Sequence, residues 1–219
     1  MKGLIGYRID REETDTLPSI EGGLFDYALA GDGLYLHAER EHLEVFFPIA
    51  SASVRGLPDR FPLFDFRLPR VPADLLERFL TDAVHFGKHG LETLAHITWS
   101  PVYPWNDGWD LETPRQTRSF SNCRPLDDGP GSSYERAIIE IHSHHSMAAR
   151  FSPTDDQDET GFRLYGVVGR LDSEPEIRFR VGVYGYFWEV PSSWVLELPE
   201  GLADCVEYEM EAEFAEETA

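Results

Sequence analysis

The chain has 219 residues, 42% of them apolar, which is enough for a packed domain with a small appendage and too much core material for general disorder. Lys and Arg number 19 against 40 Asp and Glu, and the resulting charge of −21, with arginines scattered singly, argues against a nucleic-acid partner. Two distant cysteines, Cys123 and Cys205, argue against both a disulfide-stapled secreted protein and a thiolate zinc cluster.

The opening "MKGLIGYRIDREETD" has too short an apolar stretch for a signal peptide, and no run reaches the length of a membrane helix. A cytoplasmic, reducing setting with no membrane partner is the expectation. Residues 1–68 read as a small β-rich domain, because "GLYLHAER" and "HLEVFFPIA" alternate apolar and polar positions after the turn signal "AGDG". "RGLPDRFPLFDFRLPRVP" repeats proline too often for a helix and reads as a boundary or extended linker.

From residue 69 the pattern changes. In "VPADLLERFLTDAVHFG", Leu75, Leu76, Phe79, Leu80, Ala83 and Val84 recur at helical spacing, with Pro72 suited to the first turn and Gly87 to the stop. "LETLAHITWSPVY" reads as a strand. The stretch 104–133 is a long, partly irregular insertion with one short strand near "RQTRSFS". "RAIIEIHSH" is a further strand, and "GFRLYGVVGRL" and "EIRFRVGVYGYFWEV" are two more, joined by "DSEPE". Residues 69–200 form the second domain, and the dense acid of 201–219 reads as a tail or frayed helix.

The chemistry concentrates in "EIHSHHSMAARFSPTDD". His142 and His144 stand two apart at a strand end, so both imidazoles point to one side, as two zinc ligands must. Asp155 follows after a loop long enough to return a carboxylate as third ligand, which leaves a fourth position for water, the arrangement of a catalytic zinc. Ser152 precedes Asp155 by three positions, and its hydroxyl can face the same pocket.

The pattern His-x-His-x7-Ser-x2-Asp resembles the JAMM motif of the JAB/MPN domain metalloproteases, matching "HSHHSMAARFSPTD", with a looser resemblance over residues 72 to about 190. The family's usual proline after the second histidine is His145 here, a departure expected to alter loop stiffness more than ligation. The resemblance implies an α+β fold, an MPN/JAB-like (cytidine deaminase-like) mixed sheet flanked by helices, with zinc held by His142, His144 and Asp155. It also implies a glutamate from an upstream strand, matched by Glu92 in "KHGLETLAHITW". Glu92 would take a proton from zinc-activated water and deliver it to the departing amine. Ser152 would donate to the developing oxyanion, a contribution of about 3 kcal/mol where such donors have been removed.

Glu140 is the rival base. It shares a strand face with His142 and His144, and on spacing alone the two glutamates are comparable; the resemblance favours Glu92, which leaves Glu140 to orient a histidine or to face solvent on an edge strand. The pleat sends His145 to the opposite face, Asp156 and Asp158 read as a solvated helix start, and His85, His89 and His96 read as surface or helix-end residues. Trp99, Trp105 and Trp109 either line a substrate groove or pin the insertion to the core.

The function implied is a zinc peptidase or isopeptidase acting on the C-terminal tail of a ubiquitin-like protein, with a ubiquitin-activating-like enzyme in the same pathway and the insertion 104–133 as a clamp for the peptide. The acidic surface suits a basic partner. The β-rich unit followed by this motif is also similar to the JAB-containing protein A of PRTRC cassettes. Two alternatives stay open: a metal-free MPN-type scaffold, and a zinc amidase acting on a cell-wall peptide or small amide.

Overall fold

A computed structural model describes residues 3–12, 16–20 and 22–206, and the chain divides into two units, Met1–Leu68 and Pro69–Ala219. The N-terminal unit is a five-stranded sheet in sequential order: β1 (Ile5–Ile9), β2 (Phe25–Leu29), β3 (Gly33–Arg40), β4 (Leu43–Ser51) and β5 (Leu63–Phe66). β1 runs parallel to β2, and the other pairs are antiparallel. Its core is Ala28, Ala30, Tyr35 and Phe46 with Leu17 packed on it, and the Tyr35 and Phe46 rings stack at 4.6 Å. The proline-rich stretch expected as linker contains β5. Its prolines fall outside Leu63–Phe66, so they leave the pairing of that strand with β4 intact.

The second unit opens with α1 (Ala73–Gly87), whose buried residues Leu75, Leu76, Phe79 and Ala83 follow the apolar spacing of the sequence. Then come β6 (Leu94–Trp99), β7 (Trp109–Glu112), the hairpin β8 (Gln116–Arg118) and β9 (Cys123–Pro125), and the single turn α2 (Ser133–Arg136). β10 (Ile139–Ser143), α3 (Pro153–Asp158), β11 (Arg163–Gly169), β12 (Glu176–Val183), β13 (Tyr186–Glu189) and β14 (Ala203–Asp204) complete it. The main sheet has the order β13-β12-β11-β10-β6-β7, with β14 beside β12. It is mixed, because β10 pairs parallel with β11 and antiparallel with β6. β10 is thus an interior strand, and Ile139 and Ile141 are fully buried on it.

Three expectations change here. "EIRFRVGVYGYFWEV" is a hairpin rather than one strand, because Tyr184 (φ 49°) and Gly185 (φ 92°) are left-handed and reverse the chain between β12 and β13. The stretch expected as tail from residue 201 carries β14, and the rest of that tail, 207–219, lies outside the described residues. His96, expected at the surface, is fully buried in β6, where two polar partners satisfy its ring. Among the described residues no helix is long and apolar enough to cross a membrane.

Candidate metal centre

β10 ends at Ser143, and the His144 N–H still donates to Val168 O at 2.8 Å, continuing the pairing with β11 one residue further. His142 and His144 are therefore held at strand spacing, both buried, with Nε2 atoms 3.2 Å apart. After His144 the chain turns away. His145 adopts φ 37°, which proline with its fixed negative φ cannot reach. Its Nε2 donates to Phe120 O at 3.0 Å and its Nδ1 accepts from the Ser146 N–H at 2.9 Å, so both ring nitrogens are engaged away from the ligand set. Gly169 lets this loop approach β11, because a Cβ there would stand 2.3 Å from Met147 O.

The loop returns into α3, where Ser152 is the N-cap and Pro153 occupies the first turn. Asp155 Oδ1 comes to 3.4 Å from His142 Nε2, and its Oδ2 to 3.7 Å from His144 Nε2. Among the described residues, His142, His144 and Asp155 are the group of side chains gathered closely enough to hold one metal ion. The donor set fits zinc. Ligands about 2.0–2.1 Å from a tetrahedral zinc stand about 3.3 Å from one another, close to the spacings above. Burial holds His142 below the usual histidine range, and burial with the neighbouring His142 pushes His144 down to about 4. Near pH 7 both rings are thus neutral, and each has one nitrogen lone pair to offer; with that lone pair on Nε2, both rings and an Asp155 oxygen can serve one cation.

Glu92 lies just before β6 and is almost fully buried, with Oε1 3.9 Å from His144 Nε2. Burial first, and the Asp155 charge second, push its carboxyl up to about 8. Its N–H donates to Ser119 O, which ties it to the end of the β8–β9 hairpin. That hairpin is fixed to α3 in turn: Arg124 Nε and Nη2 reach Asp158 at 2.9 and 2.6 Å, and Asn122 joins at 3.2 Å. Asp158 is therefore a clasp rather than a solvated helix start, and Asp156 likewise accepts from Arg180 at 2.7 Å. A small cavity of about 30 Å³, room enough for a water, is lined by Glu92, Cys123, Glu140, His142, Asp155 and Glu159 among others. A larger cavity of about 310 Å³ at Val84, Lys88, His145 and Leu171 contains none of the three donors.

Glu140 lines the small cavity, but its carboxylate is committed elsewhere. His96 Nε2 donates to Glu140 Oε2 at 3.2 Å, which leaves His96 Nδ1 to accept from the Ser133 hydroxyl at 2.8 Å, and Arg163 lies 3.9 Å from the same oxygen. It is not an edge-strand acid facing solvent. Of the tryptophans, Trp109 is fully buried and donates to Pro69 O, Trp99 donates to Asp107 O, and only Trp105 is well exposed, stacked on Tyr103. Cys123 and Cys205 are both free thiols.

The sequence reading missed Glu159 and Arg180. Glu159 is buried, which pushes its carboxyl up, while Arg180 pairs with it at 2.6 Å and pulls the other way, favouring the carboxylate. The signal was present in the four-residue spacing from Asp155 to Glu159, which puts both on one side of a single turn.

No family model matches the chain, and no curated protein matches it. Its class therefore rests on fold and site. The His142–His144–Asp155 cluster matches the JAMM-type metal-binding geometry and is consistent with a zinc-dependent catalytic site. A mixed sheet flanked by helices, with a smaller N-terminal sheet, is consistent with an MPN/JAB-like metalloprotease architecture.

Proposed function

We propose that this chain is a zinc-dependent peptidase or isopeptidase, and that its substrate is the C-terminal tail of a ubiquitin-like protein. The observation that carries the reading is the approach of two neutral imidazole nitrogens and one carboxylate oxygen to a common point, with the Glu92 carboxyl alongside. A zinc ion bound there supplies Lewis acidity and brings the pKa of a coordinated water to about 7.

The protein's own groups do the rest. Glu92 accepts a proton at its carboxylate and returns it to the departing amine, and a carboxyl poised near neutral pH suits both directions of transfer. Ser152 Oγ accepts from the Asp155 N–H, so its own hydrogen remains available to an oxyanion. The β8–β9 hairpin borders the small cavity through Asn122 and Cys123, which supports its use as the wall against which an extended tail lies. The charge of −21 favours a basic partner. A ubiquitin-activating-like enzyme in the same pathway, a cytidine deaminase-like fold for the second unit, a bacterial cytoplasmic setting and kinship with the PRTRC protein A belong to the same proposal.

The test is release of a reporter amine from the C-terminus of a ubiquitin-like protein by the zinc-loaded full chain. Release that is lost with a chelator and restored by zinc supports the reading. Cleavage confined to cell-wall peptides moves the assignment to an amidase, and a folded chain that takes up no zinc and cleaves nothing moves it to a scaffold.

A further inference from the structure

The two ring nitrogens of His142 are faced by two carboxylates from one helical turn. Asp155 Oδ1 stands 3.4 Å from Nε2, and Glu159 Oε1 stands 3.9 Å from Nδ1. α3 sets both, since the Glu159 N–H donates to Asp155 O at 2.8 Å and the two residues are four apart. The oxygens of Glu159 are divided between partners. Oε2 accepts from Arg180 Nε at 2.9 Å and from Nη2 at 2.6 Å, which leaves Oε1 turned to the histidine. Arg180 in turn is hard to move. It rises from β12 with its guanidinium 3.8 Å from the Phe151 ring centroid and 3.7 Å from that of Phe187, and its Nη1 donates to Asp156.

A buried ion pair of this kind is a poor source of net stability, because desolvating both charges offsets most of their attraction. Its placement against a ligand ring accounts for it better. A histidine that binds metal through Nε2 must carry its proton on Nδ1, and a carboxylate facing Nδ1, here at 3.9 Å and so through its charge rather than a direct hydrogen bond, favours that tautomer and raises the donor strength of Nε2.

We propose that Glu159, locked by Arg180, is the positioning residue for His142, so that the motif in this chain extends to His-x-His-x7-Ser-x2-Asp-x3-Glu. The inference rests on the metal-centre reading and deepens it. Glu159 touches neither substrate nor the reacting atoms; it acts through His142.

Zinc affinity is measured by chelator competition on the full chain, with folding monitored by circular dichroism. Glu159→Gln is expected to weaken zinc binding about 10–100-fold. A Glu159→Leu, Arg180→Met double variant removes both charges without leaving one buried alone, and is expected to weaken it to the same extent. Asp156→Asn, which loosens Arg180 but leaves Glu159 facing His142, is expected to bind as the wild type does. Folded Glu159 variants with wild-type affinity overturn the inference alone. A wild-type chain that takes up no zinc overturns the metal-centre reading and this inference with it. Nitrogen NMR of the wild-type imidazoles, which needs no variant, is expected to find the His142 proton on Nδ1 before zinc is added; a proton on Nε2 overturns the inference.

Discussion

Ser152 and Asp155 hold each other across the first turn of α3. The Ser152 N–H donates to Asp155 Oδ2 at 2.5 Å, and the Asp155 N–H donates to Ser152 Oγ at 3.3 Å. The Ser-x-x-Asp half of the motif is thus also a capping box, and the spacing that helix initiation favours is the one that aims the carboxylate at the histidines.

Ser152→Ala is therefore expected to act on metal binding as well as on turnover. Loss of the cap costs about 1 kcal/mol of stability and frees Asp155, so zinc affinity falls along with the melting temperature. Ser152→Thr, which can cap, is expected to recover the affinity. An alanine variant with unchanged zinc affinity would limit Ser152 to the reaction step.

Glu92→Gln is expected to leave zinc uptake intact while amide hydrolysis falls about a hundred- to ten-thousand-fold, the range for removal of a general acid–base. Glu92 stands beside His144 without belonging to the donor group, which is why the two readouts separate. Loss of zinc in this variant would make Glu92 a ligand instead.

His37 gives the N-terminal sheet a pH dependence. It is fully buried in β3; its Nε2 donates to Glu44 Oε1 at 3.0 Å and its Nδ1 accepts from Arg8 Nη1 at 3.1 Å, with Asp26 also nearby in charge. Burial holds it below the usual histidine range, with the Arg8 charge adding to the shift and Glu44 and Asp26 opposing it. Below about pH 6.5 the unfolded chain takes up a proton that the folded sheet refuses, so stability is full above that pH and declines as pH falls through it. Amide exchange in β3 and β4, corrected for intrinsic rates, is expected to show less protection at about pH 5.5 than at about pH 7.5. Protection that stays flat would mean that the ring takes up its proton in the fold as readily as in the unfolded chain.

Trp109 is expected to be a stability residue rather than part of a groove. Its ring is fully buried and its Nε1 donates to Pro69 O at 3.1 Å. Trp109→Ala should cost about 3–5 kcal/mol in urea unfolding. A loss near zero would place the ring in a site able to collapse around the change.

The three candidate ligands were legible because two local rules coincide in them. Alternation along β10 brings His142 and His144 to one side, and capping chemistry sets Ser152 and Asp155. α1 was legible for a similar reason, since its apolar residues repeat with the helical period and four of the six, Leu75, Leu76, Phe79 and Ala83, are the ones it buries, while Leu80 and Val84 stay half-buried. His96 was not, because a lone histidine in an apolar run carries no sign of partners that the fold supplies from α2 and β10. Arg180 and Glu159 were hidden in the same way: a charged residue reads as exposed until β12 and α3 are brought together. The β12–β13 turn was marked only by Gly185, in a run otherwise continuous in strand-forming residues.

The central claim is tested most directly by metal analysis and X-ray absorption on the purified full-length chain after zinc loading. The expected result is one zinc per chain, bound through two imidazole nitrogens and a carboxylate oxygen, and lost in His142→Ala. A folded chain that holds no stoichiometric zinc, or zinc whose absorption shows no histidine, would contradict it.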